Sequence, residues 1–140
     1  MNNSCIKKSH KRLLIFLSIA IITAGGFFMF SMLGKSQEER RNREYEVSLV
    51  NALKNSYEGI EEIKMSNPEY TNPPGDWSCK IDILFKDGEK IFYGIPHNLD
   101  EKQNYNGRMT YGQRDFLNLR KGITINTVTV TYSNKERGKQ

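Results

Sequence analysis

Two histidines, two cysteines and sixteen carboxylates are the raw material for chemistry in this 140-residue chain, and their spacing excludes most of it. A zinc centre needs four ligands, or three and a water. His97 and Cys79 share no ligand spacing, while His10 and Cys5 stand on the other side of a long apolar run. No metal site and no cofactor are expected. A Ser-His-Asp relay would have to be built on His97, with no Gly-x-Ser-x-Gly turn to present the serine. His97 follows a proline at what reads as a strand end, and is expected in a surface loop. No Gly-rich phosphate loop occurs. Asp82, Asp87, Asp100 and Asp115 are scattered. A hydrolase working on wall or lipid substrates through Asp82 or His97 therefore stands only as an alternative. The expectation is a protein that is not an enzyme.

Binding chemistry is better supplied. Trp77, Tyr105, Arg108 and Tyr111 are of the types that form contact hot spots at protein interfaces or stack on sugars. They are the candidate binding residues, with Tyr70 and Arg114 beside them. The competing account has Trp77 capping a core and the tyrosines padding loops.

What positions these residues begins with residues 13–33, a run without a charge whose only polar side chains are Ser18, Thr23 and Ser31. As a helix it spans roughly 30 Å, the thickness of a bilayer's hydrocarbon core. Lys7, Lys8, Lys11 and Arg12 precede it with no acidic residue among them. The formal charge of +5 thus divides into +4 before the run and +1 after it, a topology signal and not a nucleic-acid footprint. A cleaved signal peptide competes, since Ala24, Gly25 and Gly26 fit a small-residue cleavage rule. Cleavage there would leave the apolar residues 27–33 exposed at a new N-terminus. The expectation is an uncleaved anchor, N-terminus cytoplasmic and the bulk of the chain outside. Cys5 and Cys79 then lie on opposite sides of the membrane and cannot pair within one chain.

Beyond the anchor, Ser36 and Glu39 fit a capping box, and residues 38–55 contain no Pro or Gly. Tyr45, Leu49, Leu53 and Tyr57 recur at four-residue spacing, with Val50 and Ala52 beside them, one apolar stripe on a helix that Gly59 would stop. Residues 60–66 read as a short strand, and residues 67–76, with three prolines and a glycine, as a loop. Residues 77–85 alternate, with Trp77, Cys79, Ile81, Ile83 and Phe85 on one face. Asp87-Gly88 predicts a two-residue hairpin turn with Phe85 opposite Lys90, Leu84 opposite Ile91 and Ile83 opposite Phe92. Pro96 would end the returning strand. Asn106-Gly107 hints at a small second hairpin, and residues 115–121 at a short helix. In residues 123–132 the apolar phase changes near Asn126, which predicts a bulge or break.

The expected architecture is α+β: a transmembrane helix, then an amphipathic helix packed on an antiparallel sheet of three to five strands. Residues 1–12 make a basic cytoplasmic tail, 13–33 the transmembrane helix and 34–44 a polar stalk. Residues 45–133 make the outer domain, and 134–140 a charged, frayed tail. In layout the chain resembles the small single-span proteins of Gram-positive bacteria. The likeness rests on the basic tail at Lys7-Lys8 to Arg12, the apolar run, Trp77 after Pro-Pro-Gly-Asp, and the Thr-Val-rich close at Tyr132. That resemblance implies no activity. The expected partners are the membrane and another protein of the envelope, in an accessory or immunity-type role, and no nucleic acid.

Overall fold

A computed structural model describes residues 35–71, 73–104 and 107–140. The apolar run, Tyr105 and the Asn106 half of the turn expected beside it lie outside these. The chain divides into two units, Met1–Lys35 and Ser36–Gln140. Among the described residues no helix is long and apolar enough to cross a membrane.

Helix α1, Gln37–Lys54, starts where Ser36 Oγ accepts the Glu39 amide at 3.2 Å. Glu38 and Glu39 in its first turn and Lys54 in its last complement the helix dipole. It stops on Asn55, short of Gly59, whose φ of +72° serves the turn into the first strand instead. Leu49, Val50, Ala52 and Leu53 are buried as expected, but the buried stripe continues toward the N-terminus through Glu46 and Arg43. The stalk expected over 34–44 is therefore corrected at its far end. The Arg43 guanidinium lies 3.7 Å from the centre of the Tyr132 ring and 2.7 Å from Glu136.

The sheet has five strands, β1 (Ile60–Thr71), β2 (Asp76–Phe85), β3 (Lys90–His97), β4 (Thr129–Thr131) and β5 (Arg137–Lys139), in the order β3-β2-β1-β4-β5. Strand β2 shows the expected alternation: Trp77, Cys79, Ile81, Ile83 and Phe85 are all buried. Strand β1 runs past the expected stop at Ser66. The register slips between Ser66 and Glu69, where Asn67 takes φ +49°, and pairing then resumes as far as Thr71. A bulge absorbs Pro68, and only the Pro73-Pro74-Gly75 stretch turns the chain.

The β2–β3 hairpin is present, one residue out of the expected register. Leu84 faces Lys90, Ile83 faces Ile91 and Asp82 faces Phe92. The loop has three residues, not two. The Gly88 amide donates to Phe85 O at 3.0 Å, the Phe85 amide donates to Glu89 O at 2.9 Å, and Gly88 takes φ +86°. That is a type I turn followed by a left-handed residue. The slip decides burial: Ile91, Tyr93 and Ile95 go into the core, and Phe92 goes to solvent.

The sheet is mixed, which corrects the antiparallel expectation. Strand β4 pairs with β1 in parallel, Ile63 beside Val130. The cause is the route of the chain. After helix α2 (Tyr111–Asn118), residues 120–124 run along the turn that follows α1, with Glu58 N–H donating to Arg120 O and Thr124 N–H to Lys54 O. The chain thus reaches β4 from the end at which β1 begins. The expected break near Asn126 is seen, since strand structure begins only at Thr129. The tail is not frayed: β5 pairs with β4, and Gln140 exchanges two main-chain hydrogen bonds with Val128. Helix α2 starts earlier than expected, on a full capping box of Thr110 and Gln113.

Candidate functional site

His97 is the first residue to place, and its expected surface position is corrected. Strand β3 continues through Pro96, and the parity of Ile91, Tyr93 and Ile95 carries His97 inward, opposite Trp77, leaving it 2% exposed. Its Nε2 shares a hydrogen bond of 2.8 Å with Ser48 Oγ on α1, and its Nδ1 lies 3.6 Å from Glu101 Oε2. Burial pushes the imidazole down to about 4, so it is neutral at pH 7.

Hydroxyl, imidazole and carboxylate in that order are the parts of an acyl-transfer relay. The surroundings point elsewhere. Ser48 sits inside α1, where backbone amides serve the helix ladder and cannot turn toward a developing oxyanion. An imidazole of so low a basicity is also a weak proton acceptor at neutral pH. The arrangement ties α1 to the end of β3.

Trp77 is buried, whereas Arg108 and Tyr111 are exposed. Its ring stacks on Tyr45 at 5.2 Å between centroids, and its Nε1 donates to Asn42 Oδ1 at 3.1 Å. Tyr70 packs beside Tyr45 with the Arg41 guanidinium 4.0 Å over its ring. This cluster seats the first half of α1 on the sheet. Arg108 is exposed and donates its main-chain N–H to Gly94 O at 2.8 Å, which covers part of the β3 edge. Tyr111 opens α2, almost wholly exposed. Asp82 lies on the outer face of β2 between Lys64 and Phe92. Among the described residues no group of three or more His, Cys, Asp or Glu is placed to hold a metal ion.

The feature that sequence reasoning passed over is an apolar patch at one end of the domain. Leu119, Ile123 and Ile125 are 84%, 63% and 89% exposed. Their backbone is held firmly. Thr124, buried between the two isoleucines, donates its hydroxyl to Tyr57 O at 2.7 Å and accepts the Ile60 amide at 3.2 Å. Lys121 bridges Tyr57, and the Gly122 amide donates to Ser56 O at 3.1 Å. Beside Leu119 a shallow cleft of about 540 Å³ is lined by Phe85, Lys86, Asp87 and Arg120. Arg120 is fixed there by Asp87 Oδ2 at 2.7 Å and by the Phe116 ring at 3.7 Å. The signal in the sequence was the reversed parity of Ile123 and Ile125.

No protein-family model matches the chain, and no curated protein or solved structure matches it. The functional reading therefore rests on the chain's own residues. Burial and pinned backbone separate the two regions described. His97 is buried between the half-buried Ser48 and Glu101, whereas Leu119, Ile123 and Ile125 are exposed on a backbone held by hydrogen bonds.

Proposed function

We propose that the chain is a single-span anchored protein whose residues 36–140 stand outside the cytoplasm and bind another envelope protein through Leu119, Ile123 and Ile125. The anchor at residues 13–33 is read from the uncharged run and its basic flank. The observation that carries the binding reading is the pair of isoleucines held outward by a buried threonine. Large aliphatic side chains cost free energy in water unless something covers them. A backbone already fixed by hydrogen bonds loses little entropy when a partner does so.

The Thr124 amide donates to Lys54 O on the last residue of α1, so the patch lies at the opposite end of that helix from Gln37. Eighteen residues make α1 about 27 Å long. Tethering would hold a co-anchored partner at high effective concentration, so modest affinity suffices.

Site-specific photo-crosslinking from position 125 in intact cells tests this. A discrete adduct is expected, lost when Ile123→Asp is added, and not formed from a probe at Lys102. Equal capture from both positions, or capture indifferent to Ile123→Asp, would rule the patch out.

A further inference from the structure

Helix α1 covers one face of the sheet, and the other face is open. The strand registers sort its outward residues into rows. Lys90 and Lys139 end one row, with Leu84, Glu62 and Thr129 between them; Phe92, Asp82, Lys64, Thr131 and Arg137 make the next. Lys80 and Ser66 pair in a third. These three rows therefore present five cations against two carboxylates, Glu62 and Asp82, while Glu69 and Asp76, exposed and paired with Ser78 and Thr71, stand further along the same face. Residues 36–140 as a whole carry sixteen Lys and Arg against sixteen Asp and Glu. The excess is a separation of charge within a neutral domain, with Glu38, Glu39 and Glu44 exposed on α1.

The carboxylates do not quench it. One oxygen of Glu62 is shared between Lys64 at 4.0 Å and Arg137 at 3.8 Å, and those two cations keep 56% and 68% of their side chains exposed. Between the cations stand the hydroxyls of Ser66, Thr129 and Thr131. Over these three rows the surface is rich in donors and poor in acceptors. Phe92 is its one large exposed apolar side chain, too little to anchor a protein interface of ordinary size. A ligand that matches it is extended, flat-lying and made of acceptor oxygens.

We infer that these three rows of the open sheet face bind a linear phosphate-bearing polyanion. Phosphate oxygens accept from Lys, Arg and hydroxyl alike, and a chain of them spans several strands where a single phosphate meets one or two cations. Binding of this kind releases counterions and is steeply dependent on salt. The surface shares no residue with the apolar patch, so either assignment can fail alone.

Inorganic polyphosphate titrated into the full chain in an uncharged detergent is the test. Binding is expected at 50 mM salt, and five contacts predict a loss on the order of a hundredfold by 200 mM. Lys64→Gln with Arg137→Gln should weaken binding at least tenfold and flatten the salt dependence. Lys102→Gln with Lys121→Gln, away from this face, should leave both unchanged. The assignment is overturned by absence of binding at 50 mM salt, or by equal losses in the two double variants. It is also overturned if anionic phospholipid mixed into the micelle displaces the polyphosphate, which would make the face a membrane-docking surface.

Discussion

A neutral imidazole sealed between α1 and β3 takes up a proton less readily than the same side chain in an unfolded chain. Burial lowers His97 from 6.5 to about 4, so within that window the unfolded state binds a proton that the folded state refuses. The contribution to stability is complete above the unfolded value and is lost as pH falls through the window, on the order of 2–3 kcal/mol between pH 7 and 4.5. Glu46 works in the opposite sense. Burial raises its carboxyl, so its ionisation disfavours the fold as pH rises above the usual carboxylate range. Denaturant unfolding of the wild type and of His97→Gln across that range separates the two. The wild type should lose about 2 kcal/mol more than the variant, and parallel curves would refute the assignment.

The same residue shows what single positions disclose in advance. Alternation from Ile91 to Ile95 already places His97 inward; taking Pro96 as a strand stop hides it. Strand β3 is at an edge of the sheet, where a proline's missing amide can face away from the ladder. Trp77 is the parallel case. Residue type marks it as a contact residue, but parity marks it as core, and parity prevails because α1 lies over that face.

At the scale of elements, the two hairpins are built alike. In β4–β5 the Tyr132 amide donates to Glu136 O and the Lys135 amide to Tyr132 O, both at 2.8 Å, repeating the pattern of Phe85, Gly88 and Glu89. The left-handed position holds Gly88 at φ +86° in one loop and Lys135 at φ +73° in the other. Lysine is strained there, and glycine is not. Lys135→Gly should stabilise the protein by about 0.5–1 kcal/mol, and Gly88→Ala should destabilise it by a similar amount. A Cβ on Gly88 meets nothing within 4 Å, so the second effect reports backbone conformation alone. Equilibrium unfolding measures both, and a destabilised Lys135→Gly would contradict the shared loop geometry.

Elements differ in how far a sequence exposes them. The strand β2 was legible because five inward residues alternate without a break. Its register with β3 was not, because Asp-Gly fits a two-residue turn as readily as the last two positions of a three-residue loop. The parallel β1–β4 pair was invisible for another reason. Strand direction there follows from hydrogen bonds between residues 120–124 and the turn after α1, contacts far apart in the chain. The charged tail likewise reads as frayed until β4 and Val128 supply its partners.

At the scale of the whole molecule, the domain separates two kinds of surface. An apolar patch lies at the C-terminal end of α1, and a donor-rich area lies on part of the sheet face that α1 leaves open. If residues 13–33 anchor the chain as proposed, both would face the cell envelope. The most direct measurement is the fate of the full-length chain after alkaline carbonate washing and ultracentrifugation of cell membranes. The account predicts all 140 residues in the pellet, with residues 36–140 open to protease added outside intact cells. A polypeptide left in the supernatant, shortened at its N-terminus, or shielded from that protease would contradict it.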